Sequence, residues 1–165
     1  MLFRVVLIVL ISAVYAPSLS HAPRADQWSY LVDTMQHPGL FDAIKSTYSY
    51  NRTRQTMPCD TDLFRPIVFV MLATERSLLE GDQASIQAIG IMLHCCVCLL
   101  LLSLLQRIEL LSDTTKPGRD SYLAYAITIF YALNPAIQEL IIWAHLQGYL
   151  LFLVFLLGSM NLLLR

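Results

Sequence analysis

The chain reads as an all-α protein, a small multi-pass transmembrane helical bundle of about three to five spans with a short luminal loop. Three observations lead there. Of 165 residues, 56% are hydrophobic and only 14% charged, with a mean hydropathy of +0.58. Eleven Lys and Arg stand against twelve Asp and Glu, so no basic field exists to hold nucleic acid. The charges are also segregated: residues 85–106 carry none and residues 121–164 carry only Glu139. Composition of this kind excludes a disordered chain and an ordinary soluble enzyme.

The elements follow in chain order. Residues 1–20 carry Arg4 alone, ahead of the apolar run Val5 to Val14. That pattern fits a signal peptide or an uncleaved signal anchor. Cleavage after Ala16 or Ala22 would place Pro17 or Pro23 next, which favours the anchor. Both readings deliver residues 21–62 out of the cytosol as a luminal or extracellular loop. Asn51-Arg52-Thr53 in that loop is a glycosylation sequon, usable only there. Its single cysteine, Cys59, cannot close a disulfide within the loop.

Residues 63–80 start as a helix, with Asp60 or Asp62 as cap and Pro66 in the first turn. The apolar stretch from Ile67 to Ala73 is short, and Glu75, Arg76 and Glu80 follow it. Two readings stay open: an interfacial or re-entrant helix, or a short span paired with the next helix through Gly81-Asp82-Gln83. Residues 85–106 make a transmembrane helix on length and composition. Residues 107–120 form a loop with six charges in fourteen residues. If 63–80 does not span, this loop is cytosolic, and Arg107, Lys116 and Arg119 obey the positive-inside rule.

Residues 121–164 would reach about 66 Å as one helix, twice the hydrocarbon thickness, so the chain must fold back. A turn at His145 to Gly148 yields spans over 121–143 and 147–164, with Pro135 as a kink inside the first. Tyr122, Tyr125, Trp143 and Tyr149 then fall near the interfaces.

Polar residues at membrane depth are the candidate functional groups. His94 and Cys98 share a helix face, but two ligands do not close a metal site, and no cofactor or metal is expected. Cys95, Cys96 and Cys98 read as small packing residues. Counting depth along antiparallel helices places His94 level with Asn134, which predicts a hydrogen bond between them. Glu139 lies nearer the surface, within reach of His145 or headgroup water. No HExxH, GxSxG or phosphate-binding loop occurs, and Ser103 is nine residues from His94, too far for a nucleophile and its base. No catalytic residue is therefore expected.

Ile127 to Leu140 carries Phe130, Pro135, Ala136 and Glu139 in the order Pro-Ala-hydrophobic-x-Glu-hydrophobic, and Ser85-Ile86 leads through Ile89-Gly90 to His94-Cys95. These stretches resemble the last and third helices of the transmembrane protein 107 family, four-span proteins of the ciliary transition zone. The resemblance covers about a third of the chain. The hydrophobic segment from Leu146 onward has no counterpart in that family. The resemblance implies that 63–80 spans, that the protein scaffolds the ciliary gate, and that Pro135 and Glu139 are architectural.

The expected function is non-enzymatic: organising other membrane proteins, with the lipid bilayer and those proteins as partners and self-association open. The expected location is the secretory pathway, plasma membrane or ciliary membrane. One alternative is a minimal transporter or proton conductor using His94 and Glu139. Another is a membrane chain with no definable activity.

Overall fold

The computed structural model describes residues 1–20, 41–42, 45, 66–79, 82–112 and 122–164. All regular structure among the described residues is helical: α1 (Leu2–Tyr15), α2 (Pro66–Leu79), α3 (Gln83–Ser112), α4 (Tyr122–Ala132), α5 (Gln138–Ile142) and α6 (Gln147–Leu163). Short 3₁₀ turns cover Ala16–Ser20, Pro135–Ile137 and Ala144–Leu146. Three helical stretches are long and apolar enough to cross a membrane: Leu2–Ser20, Gln83–Glu109 and Ala144–Leu163. The pair Tyr122–Ala132 and Pro135–Ile142, bent by 51°, makes a fourth if it counts as one broken span.

α3 is the central helix, 30 residues long. Asp82 caps it, accepting hydrogen bonds from the Ser85 backbone N–H and hydroxyl. Those bonds hold the Asp82 carboxyl below its usual range. α4 runs antiparallel to α3. Glu109 Oε1 accepts from the Ala124 N–H at 3.2 Å, placing an anion at the start of α4. Gln106 Nε2 lies 3.4 Å from Tyr125 Oη. α1 runs parallel to α4, with Phe3 stacked at 4.2 Å on Tyr125 and Tyr15 reaching Ala132. Its inward stripe is Leu7, Ile11 and Tyr15, spaced four apart, while Val5, Val9 and Val14 face outward.

The segment expected as one kinked helix over 121–143 is broken once inside, and it ends at Trp143. Pro135 has no N–H, so the Tyr131 carbonyl takes the Asn134 N–H instead, at 3.2 Å. Asn134 Oδ1 then accepts the Ala136 N–H at 3.0 Å and starts a new turn. The expected kink is thus a complete break. The chain folds back at Trp143 (φ −92°, ψ 108°) and the 3₁₀ turn Ala144–Leu146, two residues ahead of the expected His145 to Gly148, and the last helix starts at Gln147 as expected.

α2 is 14 residues long. Were it paired down the side of α3, Val68, eleven residues before Leu79, would lie about 16 Å along that helix. Val68 instead packs with Leu72, Ile86 and Ala144, and comes against Gly148. Leu79 joins the same cluster. α2 therefore lies across the end of the bundle where α3 begins. Ser20 and Gln83 sit at that same end, because α1 and α3 are antiparallel.

Candidate functional site

The break after α4 creates a distinctive polar site among the described residues. In an unbroken helix the Ala132 carbonyl would accept from the N–H of residue 136. Asn134 has captured that N–H, so the carbonyl is released into the bundle. Two side chains from other helices take it up. Tyr15 Oη donates to it at 3.1 Å, and His94 Nε2 lies 3.1 Å away. A carbonyl only accepts, so the His94 proton sits on Nε2. One backbone oxygen thereby ties α1, α3 and α4 together.

This corrects the expected His94–Asn134 hydrogen bond. The depth count was two residues off, and the partner is a backbone group rather than a side chain. Asn134 acts one step back, by freeing the carbonyl. Glu139 is exposed in the first turn of α5. The neighbours of His94 are Ala132, Tyr15 in edge contact at 5.5 Å, Tyr131 at 5.7 Å and Cys98 Sγ at 3.8 Å from Nε2. Since Nε2 carries the proton for Ala132, it cannot also take one from Cys98, and the pair does not form an activated thiolate. Among the described residues no group of three or more His, Cys, Asp and Glu side chains converges. Cys95 and Cys98 are buried and Cys96 is exposed. Asn51 and Cys59 lie outside the described residues.

A second polar system joins α3 to α6, and sequence reasoning passed over it. Gln147, fully buried, donates from Nε2 to the carbonyls of Ile86 (3.1 Å) and Ile141 (3.2 Å). The Ile141 carbonyl is available because the helix ends at Trp143. Fourteen residues on, Asn161 Nδ2 donates to Leu100 (3.0 Å) and Leu157 (2.8 Å). Both cross-links between α3 and α6 span 61 residues, so the two helices run parallel in constant register over about 21 Å. Arg107 Nη1 adds a bond to the Asn161 carbonyl at 3.1 Å. Gly90 makes the upper link possible: a Cβ there would lie 2.4 Å from the Ile141 oxygen and 2.7 Å from Gln147 Nε2. The available signal was two amides, fourteen residues apart, in an otherwise apolar run.

The break is testable by restoring what it removes. Replacing Asn134→Ala together with Pro135→Ala returns an N–H at 135 and frees the one at 136. We expect α4 and α5 to straighten and Ala132 to turn back to its own helix. Spin labels at Leu123 and Gln138, both exposed, should read a longer distance than in the parent. An unchanged distance would mean that tertiary packing, not Asn134-Pro135, sets the bend.

Compared with family models, with curated proteins and with solved structures, the chain finds no match.

Proposed function

We propose that the chain is a multi-pass integral membrane protein that works as a non-enzymatic scaffold, holding other membrane proteins against its lateral surface. The observation that carries this reading is the inverted distribution of polarity. Val5, Val9, Leu123, Phe130, Phe152 and Phe155 are exposed, while Gln87, His94, Thr128 and Gln147 are fully buried. Such an exterior is costly in water and suited to lipid or to another apolar helix. His94 and Gln147 act on backbone carbonyls of other helices and tie them together, a structural use.

With four crossings, the ends of the segment 21–82 fall on one side, and α2 lies across that end. This arrangement supports a surface α2, a luminal Asn51 and a cytosolic end of α3, whose helix runs to Ser112, six residues into the loop expected over 107–120. The ciliary-gate version of the scaffold calls for a spanning α2 and draws no support from this packing. A proton relay through His94 and Glu139 draws no support from this packing, with His94 buried on the Ala132 carbonyl and Glu139 exposed.

Topology is the first test. In microsomes, native Asn51 should be glycosylated, whereas acceptors placed singly in 113–120, after the end of α3, should not be. Modification of that loop would return α2 to the bilayer and favour the ciliary reading. The scaffold itself is tested by a photo-crosslinking amino acid at Phe152 or Phe155 in native membranes, with buried Leu150 as control. Discrete protein adducts are expected from the outward positions. Lipid adducts alone would defeat the scaffold.

A further inference from the structure

Glu75 stands apart from the polar groups already described. It lies on the inward face of α2 with Val68, Leu72 and Leu79, at spacings of four, three and four. It is 4% exposed, and neither carboxyl oxygen has a hydrogen-bond partner among the described residues. An ionised carboxylate so placed would be buried and uncompensated, which proteins avoid by keeping the group protonated. The helix carrying it ends on a turn where the Asp82 N–H bonds the Leu79 carbonyl at 2.9 Å, with the Asp82 side chain exposed.

The surroundings narrow the chemistry. α2 packs against the start of α3, the 3₁₀ turn Ala144–Leu146 and the start of α6. The nearby titratable groups on those elements are Asp82, exposed and bonded to Ser85, His145, buried beside Trp143 at 5.3 Å, and Tyr149, exposed. His94 and Cys95 lie two to three turns deeper on α3. Arg76 follows Glu75 within α2. The 3₁₀ turn meets α2 through the apolar contact of Ala144 with Val68 and Leu72.

We propose that Glu75 is a proton-operated latch: with its carboxyl neutral, α2 stays docked across the end of the bundle, and loss of that proton to the adjoining water releases the helix. Release uncovers Ile86, Ala144 and Gly148. The compartment bathing this end thereby sets whether the end is capped. The latch rests on the packing of α2 and is independent of the scaffold reading.

The sign follows from linkage. Burial pushes the Glu75 carboxyl from 4.5 up to about 8. Between those values the docked helix binds more protons than the released one, so docking is strongest at low pH and weakens as pH rises. The docking equilibrium falls by up to tenfold per pH unit across that window and levels off above it.

Hydrogen exchange of the full chain in lipid nanodiscs reads this directly, with rates corrected for the intrinsic effect of pH. From about pH 5 to about pH 8.5, protection of the 66–79 amides should fall roughly 100-fold or more, while that of 95–105 stays constant. The isosteric Glu75→Gln chain should keep its protection throughout. Protection in the parent that does not change with pH would overturn the latch. So would an equal fall in Glu75→Gln, which would assign the transition to another group such as His145. A fall shared by 95–105 would also overturn it, since that is unfolding of the bundle rather than release of α2.

Discussion

Gly90→Ala should destabilise the bundle by about 2–4 kcal/mol, the largest effect expected of an added methyl at any of the three described glycines. The added Cβ meets backbone, the Ile141 oxygen at 2.4 Å, and that atom cannot rotate away. α5 must retreat from α3 by most of an ångström. Gln147 Nε2, at 2.7 Å from the same Cβ, loses its position between the Ile86 and Ile141 carbonyls. The cost therefore combines overpacking with a buried amide deprived of its acceptors. Gly158→Ala is the matched control. It lies in the same helix as Gln147, nothing stands within 4 Å of its added carbon, and the gain in helix propensity should stabilise by about 0.5–1 kcal/mol. Reversible unfolding in mixed micelles separates the two. Equal effects at both glycines would show that α3 and α5 do not approach as closely as described.

Removing both donors from the Ala132 carbonyl should cost more than the sum of removing each. Tyr15→Phe leaves His94 in place, and His94→Leu leaves Tyr15, so each single variant still satisfies the oxygen. Each should cost about 1–2 kcal/mol. The double variant strands a carbonyl in a water-poor interior, and the excess should be about 1–2 kcal/mol of positive coupling. A double-mutant cycle on unfolding free energies measures that excess. Strict additivity would mean that the two side chains do not share the acceptor. The same geometry gives α1 a structural use, because proteolytic loss of residues 1–16 would remove Tyr15 together with Leu7 and Ile11 from the core.

Much of this architecture was readable before any coordinates. Apolar length marked the helices at 1–20 and 85–106, and Asn134-Pro135 marked an interruption, because a missing N–H is a property of the residue itself. Counting depth at 1.5 Å per residue brought His94 to within two residues of its partner. The partner escaped because the acceptor is a main-chain oxygen on an alanine, and a freed carbonyl has no residue signature. Gly90, Gln147 and Asn161 escaped for a related reason. Their meaning depends on the register between α3 and α6, and two apolar helices can slide past one another with little change in hydropathy.

Glu75 shows the same division from the other side. In the sequence it only marks the end of the apolar stretch from Ile67 to Ala73, yet α2 turns it inward with Leu72 and Leu79. The sequence by itself determined where the apolar helices lie and that Asn134-Pro135 interrupts one of them, since both depend on apolar run length and on backbone donors carried by each residue; it stopped α3 at 106, whereas the helix runs to Ser112. Only the tertiary structure decided which carbonyls are answered by which side chains, and that α2 lies across the bundle rather than through it. Those outcomes are set by distances between segments far apart in the chain, which local chemistry does not encode.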